Sequence, residues 1–405
     1  MLPYGNGRSY GDCCLNDGGV LLDTRGLDRF IDFDSKSGVM RCEAGILLRD
    51  ILDFAVPRGW FLPVVPGTQL ITVGGAIAND IHGKNHHRAG TFGAHVLRLE
   101  LLRSDGSRLE CSPEREPEWF ASTIGGLGLT GLITWAEIHL KPILNPWIDV
   151  ETIRYPDLET FFELSAEADR DYEYTVAWVD SSALGRSLGR GLFIRGNHAS
   201  NTKNNGPSGP GRGLMVPFEI PFSLMTPLSI RVLNQTYYYS QISSRRRKTI
   251  HYAPFFFPLD GIAFWNRIYG PLGFLQYQFV VPMEHGPGVV RKTIEQSARS
   301  RMRSFMTVLK VFGDHRSYGL LSYPRPGVTL ALDFPNRGGA LFKLLDKLDD
   351  IVAAAGGAVY PAKDARMSGQ HFRRFYPEWD RLCEYVDPRF SSSLWRRRIR
   401  NTGSP

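Results

Sequence analysis

The sequence predicts a two-domain α+β protein, and three observations carry that expectation. A chain of 405 residues exceeds what one hydrophobic core usually serves. The first 145 residues are rich in glycine loops between short β-like runs such as "GGVLLDT" and "HVLRLELLRSDGS". At Asn145-Pro146-Trp147 the texture changes, and beyond it aromatic residues become frequent while strand and helix patterns alternate.

Each element follows from local pattern. Leu47, Leu48, Ile51, Leu52 and Phe54 recur at helical spacing before a Pro/Gly stop, which predicts a helix over "LLRDILDFAVPRG". "PEWFASTIG" reads as a second helix, and the alternation in "LITWAEIHL" reads as a strand. In the second domain "GFLQYQFVVP", "FMTVLKVFG" and "VTLALDFP" read as strands. Helices are expected over 285–302 and over "ALFKLLDKLDDIVAAAGG", the latter stopped by Gly356-Gly357. The Asn/Gly/Pro run at 195–213 predicts a mobile loop. This succession implies an antiparallel-sheet domain, with no internal repeat.

Composition narrows the function classes. The hydrophobic share of 42% suffices for sizeable cores, and a net charge of +7 is too mild to argue for nucleic acid. Two basic runs, "SSRRRK" and "WRRRIR", suit a solvated face or an anionic headgroup. Cys13, Cys14, Cys42, Cys111 and Cys383 have neither zinc spacing nor the look of a disulfide framework, so a reducing compartment is expected. No run of 18 apolar residues and no signal-peptide core occurs. The expected location is cytoplasmic or peripheral at the inner membrane.

Two motifs mislead. His82 and His86 share the i, i+4 spacing of zinc-binding helices, with His87 beside them. Gly83 and Asn85 inside that spacing give it loop composition, and no glutamate base lies between, so no metal is expected. Gly126-x-Gly128-x-x-Gly131 fits a dinucleotide fingerprint to the letter. That fingerprint needs a strand before and a helix after, and here the order is reversed.

Taken together, the loops "GNGRSYGD", "PGTQLITVGGAIANDIHG" and "GGLGLTG" carry a different message. Repeated glycines let backbone N–H groups approach and cradle a pyrophosphate. These loops resemble the FAD-binding domain of the vanillyl-alcohol oxidase (PCMH-type) flavoprotein superfamily. Within it, "GRSYGD", "PVVPGT", "TVGGAIANDIHGKNHHRAGTFG", "WNRIYGPLGFLQYQFVVP", "KVFG", "LDFP" and "AKDAR" are similar to the decaprenylphosphoryl-β-D-ribose 2-oxidase family.

The resemblance implies an FAD-binding domain over 1–145, a substrate-binding cap over 146–357, and a segment 358–405 that completes the FAD domain. It implies flavin contacts at Gly5, Asn6, Gly7, Arg8, Ser9, Tyr10 and Gly11, then at Gly67, Thr72, Val73, Gly74, Gly75, Asn79, Asp80, Ile81 and His82, with Ile133, Tyr360 and Lys363 as further contacts. His86 and His87 brace the loop. Where some superfamily members carry a histidine bonded to the flavin, this chain has Arg8-Ser9, so FAD is expected to be non-covalent. Lys363, Tyr10, His82, Gln278 and Lys310 are the candidate catalytic residues, and Gln276, Gln278, Lys310 and Thr329 the candidate substrate contacts. Gln276 and Gln278 share a strand face by alternation.

The implied activity is FAD-dependent oxidation of the 2-hydroxyl of a polyprenyl-phosphoryl-β-D-ribose. An NAD(P)H-dependent short-chain reductase would then complete epimerisation to the arabinose donor for cell-envelope glycans. A lipid-linked substrate implies peripheral membrane contact, for which the basic runs and the 195–213 loop are the candidates. Two departures stand against the family pattern. Ala331 occupies the place of an active-site cysteine and Thr329 that of an asparagine, so electrophiles aimed at that cysteine should find no nucleophile. The β-α-β unit that relatives carry ahead of "GRSYGD" is not in this sequence, which is expected to expose part of the FAD domain's core. Oxidation of a soluble sugar, alditol or aldonolactone, and a non-catalytic remnant, remain open alternatives.

Overall fold

The computed structural model describes residues 1–200 and 213–400. The chain divides into two compact units, one built from 1–145, 314–325 and 367 onward, the other from 146–313 and 326–366.

In the first unit β1 (Leu2–Tyr4) pairs in parallel with β2 (Leu21–Asp23). Strands β3 (Phe30–Asp34), β4 (Val39–Glu43), β5 (Val96–Leu102), β6 (Arg108–Cys111) and β7 (Leu132–His139) form an antiparallel sheet in the order β3-β4-β7-β5-β6. Helix α1 (Leu48–Ala55) buries Leu48, Ile51, Leu52 and Ala55, one stripe at i, i+3, i+4 and i+7. Pro57 and then Gly59, at φ +81°, stop it.

The glycine-rich stretch 74–90, expected as a loop, is partly helical. Val73–Ala78 forms α2, and His86–Ala89 makes one further turn. Glycine composition hid α2 because its glycines serve packing: a Cβ at Gly74 would lie 3.2 Å from both the Cβ and the carbonyl oxygen of Ala44. Pro117–Thr123 is α3.

The second unit is built on one eight-stranded antiparallel sheet, with a separate short parallel pair of Leu214–Met215 and Ile262–Ala263. Its strands are β8 (Trp147–Tyr155), β9 (Tyr174–Val179), β10 (Gly191–His198), β11 (Arg245–His251), β12 (Phe274–Val281), β13 (Thr307–Phe312), β14 (Gly327–Pro335) and β15 (Ala358–Val359). They lie in the order β11-β8-β10-β9-β13-β14-β12-β15. The unit's longer helices are α4 (Leu158–Ala168), α5 (Pro227–Tyr239), α6 (Gly286–Arg299) and α7 (Gly339–Ala354), and Tyr252–Phe256 adds a short helical turn. Helix α7 buries Leu341, Leu344, Leu345, Leu348 and Val352 and is followed by Gly356 at φ +69°.

Three expectations need correction here. The loop placed at 195–213 begins later, because Arg195–His198 continue β10, where Arg195 is buried and ion-paired to Glu151 at 2.7 Å. Residues 201–212 of that loop lie outside the described residues. The helix placed at 285–302 ends at Arg299. Residues 358–366 belong to the second unit rather than completing the first, since β15 pairs with β12 and the Tyr360 N–H donates to the Gln278 carbonyl at 2.9 Å. Conversely, 314–325 belongs to the first unit although it interrupts the second in sequence.

The chain then returns to the first unit with α8 (Gly369–Phe375), α9 (Trp379–Tyr385) and α10 (Ser393–Arg400). Backbone bonds from Asp387 N–H to Leu129 O and from Ser393 N–H to Leu15 O, both 2.8 Å, tie this segment to the unit's first part. All five cysteines are free thiols. Among the described residues, no helix is long and apolar enough to cross a membrane.

Candidate functional site

In the first unit three glycine loops, distant in sequence, are hydrogen-bonded into one assembly. Asn6 Nδ2 of the first loop donates to Leu70 O of the second at 2.7 Å. Gly125 N–H and Leu127 N–H of the third donate to Ile77 O and Ala78 O, at 2.9 and 2.8 Å. Gly5 sits so close to Thr72 that a Cβ there would fall 2.3 Å from Oγ1. Thr72 is itself fixed, because its buried hydroxyl caps α2 by accepting from Gly75 N–H at 3.1 Å. Gly7 needs glycine for another reason: its φ is +57°, and a Cβ would fall 2.2 Å from the Tyr4 hydroxyl.

Electrostatics around the loops suit an anion. Asp12 is paired to Arg397 of α10, whose Nε donates at 3.2 Å. Asp80, fully buried at φ +38°, accepts from Gly93 N–H at 2.9 Å, from Ser322 Oγ at 2.6 Å and from Ser317 Oγ. Burial raises its pKa while these bonds pull it down. Both nearby acids are therefore engaged, and Arg8 is exposed on the first loop. Glycine-lined backbone with its carboxylates occupied is the donor set a pyrophosphate needs, so the residues fit FAD.

The other candidates of this unit fall around the same loops. Ser9, Tyr10 and Gly11 complete the first loop, and Gly67 borders open space. Val73, Gly74 and Gly75 lie on α2, and Asn79 Nδ2 closes it by donating to Gly75 O at 2.9 Å. Ile81 is buried, and the ring of His82 lies 5.9 Å from that of Tyr323. Ile133 is buried on β7. His86 is buried and His87 half-buried. Among the described residues no three His, Cys, Asp or Glu side chains converge as a metal site.

In the second unit strand register brings the candidates onto one sheet face. Gln276 stands opposite Asp333, Gln278 opposite Ala331, and Lys310 opposite Thr329. The other face of β12 and β14 carries Tyr277, Phe279, Leu330 and Leu332, all buried. Gln278 Nε2 donates to Thr329 Oγ1 at 3.1 Å, and the Lys310 ammonium lies 5.6 Å from the Phe312 ring centre. Ala331 presents only a methyl group opposite Gln278.

A three-residue chain crosses this face. Lys363, on the turn after β15 and Tyr360, donates from Nζ to Gln276 Oε1, and Gln276 Nε2 donates to Asp333 Oδ1. Burial pushes the Lys363 ammonium down to about 8, against a partial pull upward from Asp333. Burial likewise raises Asp333 to about 6, opposed by the Gln276 hydrogen bond and the Lys363 charge. Between those values the amide is held by an ammonium on one side and a carboxylate on the other.

Asp333 joins this candidate site although the sequence reading did not single it out. Its signal was present: a carboxylate inside the apolar strand "VTLALDFP" needs a buried partner. Lys84, half-buried in "IHGKNHH", was likewise not singled out, and burial pushes its ammonium down to about 8.

These features define an FAD-binding oxidoreductase of the PCMH type. Residues 1–112 match the family model described as FAD binding domain. The chain is 36% identical over 415 residues to decaprenylphosphoryl-β-D-ribose oxidase of Mycolicibacterium smegmatis, covering 98% of this chain and 88% of that protein. It therefore belongs to the decaprenylphosphoryl-β-D-ribose oxidase family. An uncharacterized Streptomyces coelicolor protein is 34% identical over 372 residues, covering 87% of this chain and 99% of that one. Cytokinin dehydrogenase 6 of Oryza sativa subsp. japonica is 30% identical over 176 residues, covering 40% of this chain and 32% of that protein.

Proposed function

We propose that this chain oxidises the 2-hydroxyl of a polyprenyl-phosphoryl-β-D-ribose to the 2-keto sugar, using FAD held without a covalent bond. The product is a substrate for a separate NAD(P)H-dependent short-chain reductase, which completes epimerisation to the arabinose donor. The observation that carries this reading is the Lys363–Gln276–Asp333 chain, on a face shared with Gln278, Lys310 and Thr329 in a chain similar to the M. smegmatis oxidase over 98% of its length.

Bound flavin supplies the two-electron acceptor. Lys363, protonated below about pH 8, provides positive charge for the electron density that accumulates in oxidation. Asp333 acts through Gln276, orienting that ammonium and favouring its charged form. Gln278 and Thr329, already hydrogen-bonded to each other, offer an amide and a hydroxyl to sugar hydroxyls. Tyr10 and His82 are the candidates for taking the hydroxyl proton. The absence of a covalent bond follows from Arg8-Ser9, because neither side chain makes the histidyl linkage.

A second reading, oxidation of a soluble alditol or aldonolactone, is favoured by one feature: Ala331 and Thr329 depart from the family pattern on the face of β14 that carries Asp333. A substrate panel with mass detection of the keto product separates the two. Turnover of lipid-linked ribose supports the first reading, and turnover of free alditols alone sinks it. Acid precipitation should leave all flavin absorption in the supernatant; absorption in the pellet overturns the non-covalent assignment.

A further inference from the structure

The second unit exposes an apolar surface that its own core does not use. Helix α5 buries one narrow stripe, Ile230, Asn234 and Tyr238, at i, i+4 and i+8, and Tyr237 packs edge-on against Trp178 beside it. Leu228, Val232, Leu233 and Tyr239 on the same helix are exposed, Leu228 at 72%. The segment leading into α5 adds Phe218 at 77% and Phe222 at 63%.

This segment is anchored. Residues Leu214–Met215 pair with Ile262–Ala263, Arg267 donates to the carbonyls of Val216 and Pro217 at 3.1 Å each, and Leu224 N–H donates to Ile268 O at 2.9 Å. Met225, Ile230 and Tyr269 then pack as a small core beneath. The exposed apolar side chains are thus held out by a folded platform rather than left on a loose tail, which marks an interaction surface.

Charge says what it fits. Between 213 and 248 the sequence has one acid, Glu219, and five bases, Arg231, Arg245, Arg246, Arg247 and Lys248. Four of the bases form the exposed start of β11, the edge strand reached directly from α5. Buried Gln241 fixes the connection by donating to Thr152 O at 2.9 Å. Glu151 engages Arg247 at 2.7 Å, while Arg245, Arg246 and Lys248 have no ion pair among the described residues. Exposed apolar side chains and uncompensated arginine and lysine thus follow one another along 218–248, and they are the two signals that together hold a protein on an anionic bilayer.

We propose that α5, its leading segment and the start of β11 form a docking surface for an anionic phospholipid membrane. The apolar side chains enter the boundary between headgroups and acyl chains, and Arg246 and Lys248, which share one face of β11, contact the lipid phosphates. This deepens the substrate reading by naming the surface through which a chain acting on a lipid-linked sugar would meet the bilayer, and it is tested without any sugar, so the two can fail separately.

The experiment is co-sedimentation of the full chain with vesicles of phosphatidylcholine alone or mixed with phosphatidylglycerol. The expected result is binding to the mixed vesicles, reduced by high salt. Arg246→Gln with Lys248→Gln should weaken it roughly 20-fold, since each basic residue near such a surface contributes a factor of about five. Phe222→Ser with Leu228→Ser should weaken it at both salt concentrations. Unchanged circular dichroism and flavin content verify that each variant is folded, and either pair alone suffices for the comparison. A folded wild-type chain that stays in the supernatant at low salt overturns the proposal. So does a dimer in sedimentation that Phe222→Ser with Leu228→Ser converts to monomer, which would make a second copy the occupant.

Discussion

The two units do their polar work with different parts of the chain. The first builds its candidate cofactor site from backbone: glycines at 5, 7, 74 and 75, held in place by Thr72 and by main-chain bonds between loops. The second builds its candidate substrate site from side chains, lined up on one sheet face by the register of β12, β13 and β14. A backbone site is sensitive to added atoms and indifferent to most charge changes. A side-chain site is the reverse, because its function resides in the groups a substitution removes.

That contrast makes definite predictions. Lys363→Met should lower turnover by roughly 10²- to 10⁴-fold while flavin content stays at the wild-type level, and Lys363→Arg should recover part of the loss; steady-state kinetics beside an absorption spectrum reads both. Loss of flavin in Lys363→Met would break the comparison. Gly5→Val should do the opposite. Overpacking against the fixed Thr72 costs about 1–3 kcal/mol, so flavin affinity should fall roughly 10- to 100-fold, with near-normal turnover per bound flavin.

The pH profile sharpens the account of the second unit. Turnover should be highest between about 6 and 8, where Asp333 is a carboxylate and Lys363 an ammonium. Above about 8 Lys363 loses its proton, and below about 6 Asp333 gains one and releases its hold on Lys363. Asp333→Asn removes the charge that raises the Lys363 pKa, so the alkaline limb should move to lower pH with a loss on the order of 10-fold at neutral pH. An unmoved limb would reduce Asp333 to a packing residue. The smallest effect is expected at Thr72→Ala, where loss of the α2 cap costs about 1 kcal/mol of stability, visible as a lower melting temperature and a modest weakening of flavin binding.

The same contrast explains what could be read before folding. Glycines that permit close approach announce themselves in sequence, so the loops at 5–12, 66–83 and 125–131 were legible, as were α1 and α7 from their apolar stripes. The helicity of α2 was not, because Gly74 and Gly75 look like loop residues until Ala44 is seen against them. Asp80 needed Ser317 and Ser322, separated from it by 237 and 242 positions, and no local pattern reports such a pairing. Gln276 and Gln278 could be placed on one face by alternation alone. Asp333 could not be joined to them, since its role depends on which strand lies beside β14. The placement of 358–366 failed for the same reason, as the two residues of β15 are too few to show that they extend the second unit's sheet.

The most direct measurement is anaerobic mixing of the flavin-loaded chain with polyprenyl-phosphoryl-β-D-ribose while flavin absorption is followed. The account predicts rapid bleaching by the lipid-linked sugar, slowed by orders of magnitude in Lys363→Met, with no bleaching by free alditols or aldonolactones. Bleaching by the free sugars and not by the lipid-linked ribose would contradict it.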